Sequence, residues 1–242
     1  MRQIWIITRK ELNSYFDSLM AYILIVAFLG FSGFFTWLFS DSNIFAANQA
    51  SLQTFFGIAY WTLFFFAPAI TMGLIAEENR SGTIELLVTK PVRDWDIVMG
   101  KFLAAFLLIC ITLALTLPYY ITLWKLGPVD HGSVWSGYLG LLLMSATYIS
   151  IGIFASSISN NQIVSFLLAL CIGVFFHFIF GLLAGASTGF ISGILHYLSE
   201  MSHFESISRG VIDTKDLIYF ASIIFMSLTG SEVILAKRNL AS

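Results

Sequence analysis

Charged residues are scarce in this sequence, and so are cysteines. Only 11% of the 242 residues are Asp, Glu, Lys or Arg, whereas an ordinary soluble domain has about 25%. So few charges cannot cover the surface of a soluble globule, which excludes a free-standing soluble protein. The 12 Lys and Arg against 14 Asp and Glu provide no basic field, which excludes a nucleic-acid-binding module. Cys110 and Cys171 both lie in apolar runs, so no disulfide framework or zinc spacing is present.

Apolar residues, in contrast, are abundant. They make up 58% of the chain, and the mean hydropathy is +0.86. A helix needs about 20 apolar residues to cross a hydrocarbon core that is about 30 Å thick. The sequence therefore predicts an all-α polytopic membrane protein with six transmembrane helices. The predicted spans are residues 19–39, 57–76, 102–124, 137–155, 163–184 and 217–236.

The apolar stretch at residues 163–199 is longer than one span requires. As a single helix it would measure about 55 Å, yet it is too short for two full spans and a turn. We therefore predict one span followed by an external hairpin, re-entrant or interfacial, at residues 185–216. With six spans, nine of the twelve Lys and Arg fall on one side, and the positive-inside rule places that side and both termini in the cytoplasm. A seventh span leaves the charge count level, so the prediction of six rests on length.

Residues 1–18 are predicted to form a separate amphipathic helix. One face of its helical wheel carries Ile4, Trp5, Thr8, Leu12, Tyr15, Phe16 and Leu19. Charged and polar side chains take the opposite face, while Ile6 and Ile7 break the pattern. We expect this interface helix to lie along the inner membrane surface with Trp5 at headgroup depth. It is either a simple orientation anchor or a docking surface for a cytoplasmic partner.

The connection at residues 77–101 has more structure than a connector needs. A short helix is predicted to open near Gly82 with Glu85 on its flank. Pro91 ends it, because the residue before a proline is pushed out of the α region. A second short helix is predicted at residues 95–101. This helix–proline–helix element is either a plug for a groove in another protein or an amphipathic loop on the chain's own membrane domain.

In this connection the sequence resembles the cytoplasmic signature of the ABC-2 type transporter permeases. The signature is an acidic residue, a Gly-Thr-x-Glu-x-Leu-Leu run, a Pro-Val pair and a Lys that enters the third span. The matching residues are Glu77, Glu78, Gly82, Thr83, Glu85, Leu86, Leu87, Pro91, Val92, Gly100 and Lys101. With the N-terminal Lys10-Glu11-Leu12 and residues 203–213, the chain resembles the permease subunit of gliding-motility-associated ABC transporters of the Bacteroidetes type. The permease for nitrous-oxide reductase maturation is the next in similarity.

This resemblance implies a half-transporter membrane domain in the bacterial inner membrane. It would work as a dimer and couple ATP hydrolysis on a separate ATPase subunit to export or conformational work. The resemblance also implies that this work is linked to gliding motility. The implied coupling residues are Glu77, Glu78, Gly82, Thr83, Glu85, Pro91 and Lys101. The interface helix would contact the same subunit through Trp5, Lys10, Glu11, Leu12 and Phe16. Further implied partners are a second permease copy or a related membrane subunit, and a membrane-anchored protein with a periplasmic domain.

The sequence has no phosphate-binding loop of its own. Its one Gly-Lys pair, Gly100-Lys101, is followed by Phe102, and Trp95 stands where the first glycine would be. Zinc-protease and serine-hydrolase motifs are also missing. We therefore predict a non-catalytic subunit without a cofactor, with ATP and Mg²⁺ bound by the partner ATPase.

A membrane-embedded enzyme or metal-handling protein is the alternative, and a passive membrane scaffold is a third. The alternative rests on His196, Glu200 and His203, whose spacing would place them on one face of a continuous helix, as metal ligands require. We predict no metal, and these three are the candidate ligands. His177, inside the fifth span, is predicted to be a neutral imidazole that hydrogen-bonds to a neighbouring helix.

Four glycines recur at four-residue spacing around the predicted hairpin. They are Gly181, Gly185, Gly189 and Gly193. Ridges of small residues let helix backbones approach closely in lipid. We expect this ridge either to pack the hairpin within one subunit or to form a dimer contact that acts as an outer gate.

Overall fold

The computed structural model describes residues 2–38, 51–82 and 93–239, and the regular secondary structure in these ranges is helical. In chain order the helices are α1 (Arg2–Asp17), α2 (Met20–Trp37), α3 (Gln53–Thr71), α4 (Ala76–Ser81), α5 (Asp94–Ala114), α6 (Leu117–Leu126), α7 (His131–Ile158), α8 (Gln162–Val174), α9 (Phe180–Ala186), α10 (Phe190–Leu198), α11 (Glu200–Ser208) and α12 (Thr214–Asn239). A π-helical turn, Phe175–Ile179, joins α8 to α9.

Six helical segments are long and apolar enough to cross a membrane, which confirms the predicted fold class and number of spans. They are Met20–Trp37, Gln53–Ser81, Asp94–Leu126, His131–Ile158, Gln162–Ala186 and Thr214–Lys237. Several are longer than predicted, because polar residues at their ends continue the helix beyond the apolar stretch. The third, for example, already begins at Asp94.

α7 is the central helix of the bundle, and it packs against α3, α5, α8, α11 and α12. Small residues on α7 allow this crowding. Gly137 lies against the ring of Phe56, and Gly152 lies against the hydroxyl of Thr71, so any larger side chain would collide with α3. Close backbone approach of this kind is how helices associate in lipid, where apolar burial alone gives no advantage.

α2, α8 and α12 lie at the periphery of the bundle. Only 22% of the residues in each of these three spans are buried within the chain, and Val26, Leu167 and Phe225 are among the exposed apolar side chains. The single chain thus leaves three apolar helix surfaces for lipid or for another membrane subunit.

α1 lies against α5, as a separate helix before the first span. The predicted apolar face was partly wrong. Ile7, expected to break the face, packs on Gly100, where an added Cβ would lie 2.6 Å from its Cγ2 atom. Trp5 points away from the chain and is 61% exposed, so its position at headgroup depth stays a prediction.

The predicted helix–proline–helix element lies only partly within the described residues. Residues 77–81 are the end of α4, and Gly82 ends that helix in a left-handed conformation (φ +71°). Glycine adopts this conformation at helix C-termini without the cost of a Cβ clash. Residues 95–101 are the first turns of α5 and not a separate helix. Thr83, Glu85 and Pro91 lie outside the described residues.

Between the fifth and sixth spans the chain forms the predicted hairpin, here α9 and α10, followed by α11. Ser192 Oγ donates to the Ala184 carbonyl at 2.8 Å and so links the two arms of the hairpin. The helix breaks at Ser199, where the backbone is extended (φ −78°, ψ 116°). α11 then returns to the bundle and packs on α7.

Candidate functional site

Lys101 is the centre of a polar network where α1, α4 and α5 meet. Its side chain is only 1% exposed. Nζ donates to Glu78 Oε1 at 2.8 Å and to the Leu74 carbonyl at 2.7 Å. A longer contact of 3.4 Å reaches Glu11 Oε1 on α1. One buried cation is therefore shared by two carboxylates from different helices, and its removal would leave Glu78 without its charge partner.

Glu77 points the other way and joins α4 to α8. Its Oε2 atom accepts a hydrogen bond from Gln162 Nε2 at 2.6 Å. Its Oε1 atom accepts from Arg80 at 3.2 Å, in an exposed pair of the kind that contributes little to stability. Asn161 caps α8 by accepting from the backbone N–H of Ile163 at 2.9 Å, so Gln162 sits in the first turn of a well-defined helix.

Ser156 on α7 fixes the start of α4. Its hydroxyl accepts from the backbone N–H groups of Ile75 and Ala76 at 3.1 and 2.9 Å and donates to the Met72 carbonyl at 3.0 Å. The first N–H groups of a helix have no acceptor within it. Because a buried serine supplies one, α4 is oriented by the central helix.

Two hydrogen bonds attach α1 to the same region. Thr8 Oγ1 donates to the Gly100 carbonyl at 3.1 Å, and the Tyr15 hydroxyl donates to the Ile70 carbonyl at 3.0 Å. Burial, assisted by the nearby Glu11 carboxylate, raises the pKa of the Tyr15 phenol well above its ordinary value. The phenol therefore stays neutral and keeps its donor proton at any physiological pH.

We call this set of contacts, centred on Lys101, Glu78, Glu11 and Glu77, the inner network. It joins α1, α4, α5 and α8 directly, and α7 through Ser156. Both described ends of the 83–92 connection, Gly82 and Arg93, lie next to helices of the inner network. A displacement of the connection would thus reach five helices through short polar contacts.

The structure brings together four of the residues predicted from the sequence, namely Glu11, Glu77, Glu78 and Lys101. Leu12 and Phe16 pack against the core beside them. Lys10 and Trp5 are exposed, and Lys10 contacts only the Glu11 carboxylate, at 3.4 Å, among the ion pairs of the described chain.

Ser156 and Gln162 were missed as site residues. They lie at the two ends of a short polar connection, residues 156–162. Neither residue has a sequence signal of its own, because their roles depend on the groups that the fold places opposite them.

The predicted metal-ligand candidates are separated by the break at Ser199. His196 is exposed on α10. On α11, Glu200 accepts from the Tyr148 hydroxyl, while His203 contacts Asp216 Oδ1 through Nδ1 at 2.7 Å. The prediction that His196, Glu200 and His203 share one continuous helix is therefore wrong. Within the described ranges, no group of three His, Cys, Asp or Glu side chains is placed to hold a metal ion.

The glycine ridge is not continuous either. An added Cβ at Gly181 would lie 3.1 Å from Ser199 Oγ, whereas Gly185, Gly189 and Gly193 have nothing within 4 Å of that position. Gly189 has a positive φ of +72° in the turn between α9 and α10. Tight packing within one subunit is thus wrong for three of the four positions, and the expected dimer contact stays a prediction.

The fold and the inner network show the class of protein, which is a polytopic helical membrane protein with an additional helix attached to its bundle. The family model described as "ABC-2 family transporter protein" matches residues 35–229. The chain therefore belongs to the ABC-2 family of transporter permeases.

Two curated relatives are similar over part of their length. Both are described as "Probable multidrug ABC transporter permease YbhR", from Escherichia coli K12 and from Escherichia coli O157:H7. Each is 25% identical over 151 residues, which cover 59% of this chain. The match covers only 38% of the relatives' length.

Proposed function

We propose that this chain is the membrane-spanning permease subunit of an ABC transporter. ATP and Mg²⁺ are bound by a separate cytoplasmic ATPase subunit, and hydrolysis there drives export or conformational work across the bacterial inner membrane. Family membership and the six apolar spans support this assignment. The similarity to permeases described as multidrug transporters makes export the direction we favour.

The observation that carries the proposal is the position of Lys101. This buried lysine ties α1 to α4 and α5, the two helices that flank the 83–92 connection. An ATPase that pushes on the connection would therefore move the interface helix and two spans together. That is the arrangement a coupling element needs, since force applied to an isolated loop would be lost in its flexibility.

The finer assignments follow from the sequence resemblance. We propose that both termini and the 83–92 connection are cytoplasmic and that the chain works with a second permease copy or a related membrane subunit. A role in gliding motility, with a membrane-anchored periplasmic partner, is the physiological setting we propose. The exposed surfaces of α2, α8 and α12 provide room for such membrane partners.

The test is co-purification followed by a coupling assay. The tagged full chain is isolated from native membranes, and a soluble protein with a phosphate-binding loop is sought in the eluate by mass spectrometry. Glu85→Arg and Gly82→Val are then compared with the wild type in reconstituted vesicles. We expect both variants to insert normally and to lose membrane-dependent stimulation of the ATPase, because one reverses a charge and the other strains a left-handed backbone position.

Glu205→Gln is the matched control. This carboxylate is half-exposed on α11, and its partner is the exposed Arg209. It should leave coupling unchanged. If no ATPase co-purifies, or if stimulation is undiminished in both connection variants, the proposed role of the 83–92 connection is wrong.

A further inference from the structure

A second buried polar cluster lies deeper in the bundle, beneath α11. It contains Tyr148 from α7, His177 from the π-helical turn and Glu200, the first residue of α11. Each of these residues is at most 1% exposed. The Tyr148 hydroxyl contacts His177 Nδ1 at 3.0 Å and also Glu200 Oε2. His177 Nδ1 lies 3.5 Å from the same carboxylate oxygen.

Aromatic rings enclose the imidazole of His177. The rings of Tyr60 and Phe64 stack on it with centroids at 4.3 Å, and Trp61 meets it edge-on at 4.5 Å. The faces of aromatic rings stabilise a cation, so this enclosure tolerates an imidazolium. Buried ionisable groups inside a membrane domain are costly and usually serve a function, and π-helical turns are frequent at functional sites.

Two polar atoms of the cluster have no hydrogen-bond partner among the described residues, although both are buried. They are Nε2 of His177 and Oε1 of Glu200. The prediction of a neutral imidazole bonded to a neighbouring helix captured the Tyr148 contact. It did not anticipate a carboxylate within reach, because Glu200 lies 23 positions further along the chain.

The hydrogen bonds restrict where protons can be. In the first arrangement Glu200 is ionised, the Tyr148 hydroxyl donates to its carboxylate, and His177 Nδ1–H donates to the Tyr148 oxygen. In the second arrangement Glu200 is protonated and donates to the Tyr148 oxygen, and the Tyr148 hydroxyl donates to His177 Nδ1. Both arrangements use the same atoms, and with Nε2 protonated both hold the same number of protons and no net charge. Loss of one proton leaves a net negative charge in a buried site, which is strongly unfavourable.

We propose that Tyr148, His177 and Glu200 form a buried site that binds one exchangeable proton, and that this proton holds α11 against the spans. Glu200 is the first residue after the break at Ser199, so its side chain anchors the near end of α11. The pair His203–Asp216 anchors the same helix to α12. Phe204 packs between them, with its ring stacked on Tyr60 at 4.6 Å.

The titratable groups that surround the site come from every neighbouring element. Tyr60 on α3 stacks on His177 at 4.3 Å, and Tyr219 on α12 stacks on His203 at 4.1 Å. His203 lies one turn further along α11, paired with Asp216. Among the described residues, His177 is the one ion-pair partner of Glu200. No lysine or arginine there neutralises the Glu200 carboxylate when the site loses its proton.

The sign of the pH dependence follows from proton counting. When α11 leaves the bundle, it carries the Glu200 carboxylate into water and breaks the shared hydrogen bonds, and a carboxylate or imidazole in water holds no proton above about pH 7.5. The seated state then binds one proton more than the open state. The equilibrium constant for opening should therefore rise about tenfold per pH unit until the seated site also releases its proton.

Opening is measured by cysteine modification in the detergent-purified full chain with Cys110 and Cys171 replaced by Ala. Ser208→Cys is the probe, because Ser208, the last residue of α11, is buried at 4% exposure, and the more accessible Ser206→Cys is the reference. The ratio of the two rates cancels the reactivity of the thiolate itself. We expect this ratio to rise about tenfold per pH unit above neutrality.

His177→Gln and Glu200→Gln should flatten that dependence, because either change removes the shared proton while keeping a side chain of similar shape. Glu205→Gln, on the same helix, should leave the slope unchanged. A flat ratio in the wild type, or an unchanged slope in both cluster variants, would overturn the proposal.

A second measurement does not depend on the cysteine probes. Protonation of His177 should alter the fluorescence of Trp61, which is isolated as the difference between the wild type and Trp61→Phe. We expect a one-proton pH transition in this difference that disappears in His177→Gln. His131→Gln is the control for Trp124, which faces His131 at 6.1 Å. A transition that survives His177→Gln would also overturn the proposal.

Discussion

Replacing Lys101 with Met tests the inner network most directly. Methionine keeps most of the length and volume of the lysine stem but removes its charge and its donor protons. Glu78 would then lose a contact of 2.8 Å, the Leu74 carbonyl one of 2.7 Å, and Glu11 its longer contact of 3.4 Å. Because Glu78 is only 16% exposed, its carboxylate would be left largely buried and unpaired.

Removal of one partner from a buried ion pair costs about 3–5 kcal/mol. For a chain of this size, each 1 kcal/mol shifts the midpoint of thermal unfolding by about 2–4 °C. We therefore expect Lys101→Met to lower the apparent Tm in detergent by about 6–20 °C. Arg80→Met is the matched control, because the Arg80–Glu77 pair is exposed and should contribute less than about 1 kcal/mol.

The double variant Lys101→Met/Glu78→Gln distinguishes a stranded charge from lost packing. If the unpaired carboxylate is the main cost, a neutral amide at position 78 should restore a large part of the lost Tm. The two changes would then be strongly non-additive, as expected for residues in one network. The reasoning fails if Lys101→Met unfolds at the wild-type temperature, or if the double variant is as unstable as the sum of the two single variants.

Two further predictions concern glycines that the structure places in opposite surroundings. Gly100→Val should release α1 from α5, because even a Cβ atom there would lie 2.6 Å from Ile7 and 3.3 Å from the Ile4 carbonyl. The sensitivity of residues 1–18 to protease should then rise. Unchanged protection would contradict the docking of α1 on α5. Gly185→Leu should leave the Tm of the single chain unchanged, since nothing lies within 4 Å of an added Cβ. If that variant nevertheless weakens cross-linking between two copies, the glycine belongs to a contact between subunits, whereas unchanged cross-linking would exclude the expected dimer contact there.

The number and position of the membrane spans could be predicted from the sequence because hydropathy is a local property. Twenty apolar residues in a row must form a helix in lipid whatever lies beside them. The N-terminal helix was predictable for the same reason, from its periodicity, but its orientation was not. Ile7, expected to break the pattern, packs against the bundle because the face that contacts it depends on where α5 presents Gly100.

Resemblance of local motifs selected Glu11, Glu78 and Lys101, yet it could not show that they meet. Glu11 and Lys101 are 90 positions apart, and only the packing of α1 on α5 brings their side chains to 3.4 Å. Gln162 and Ser156 carry no sequence signal of their own, since a serine or a glutamine near a turn is ordinary until a carboxylate or a free N–H group faces it.

The buried cluster of Tyr148, His177 and Glu200 could be predicted from the sequence even less. Helical spacing grouped Glu200 with His196 and His203, as neighbours on one face. The break at Ser199 turned α11 back toward the bundle, and the π-helical turn brought His177 to it instead. Spacing rules hold only inside one continuous helix, whereas the partners of a buried charge are chosen by the tertiary structure, because a charge in low dielectric must find its counterpart wherever the packing provides one.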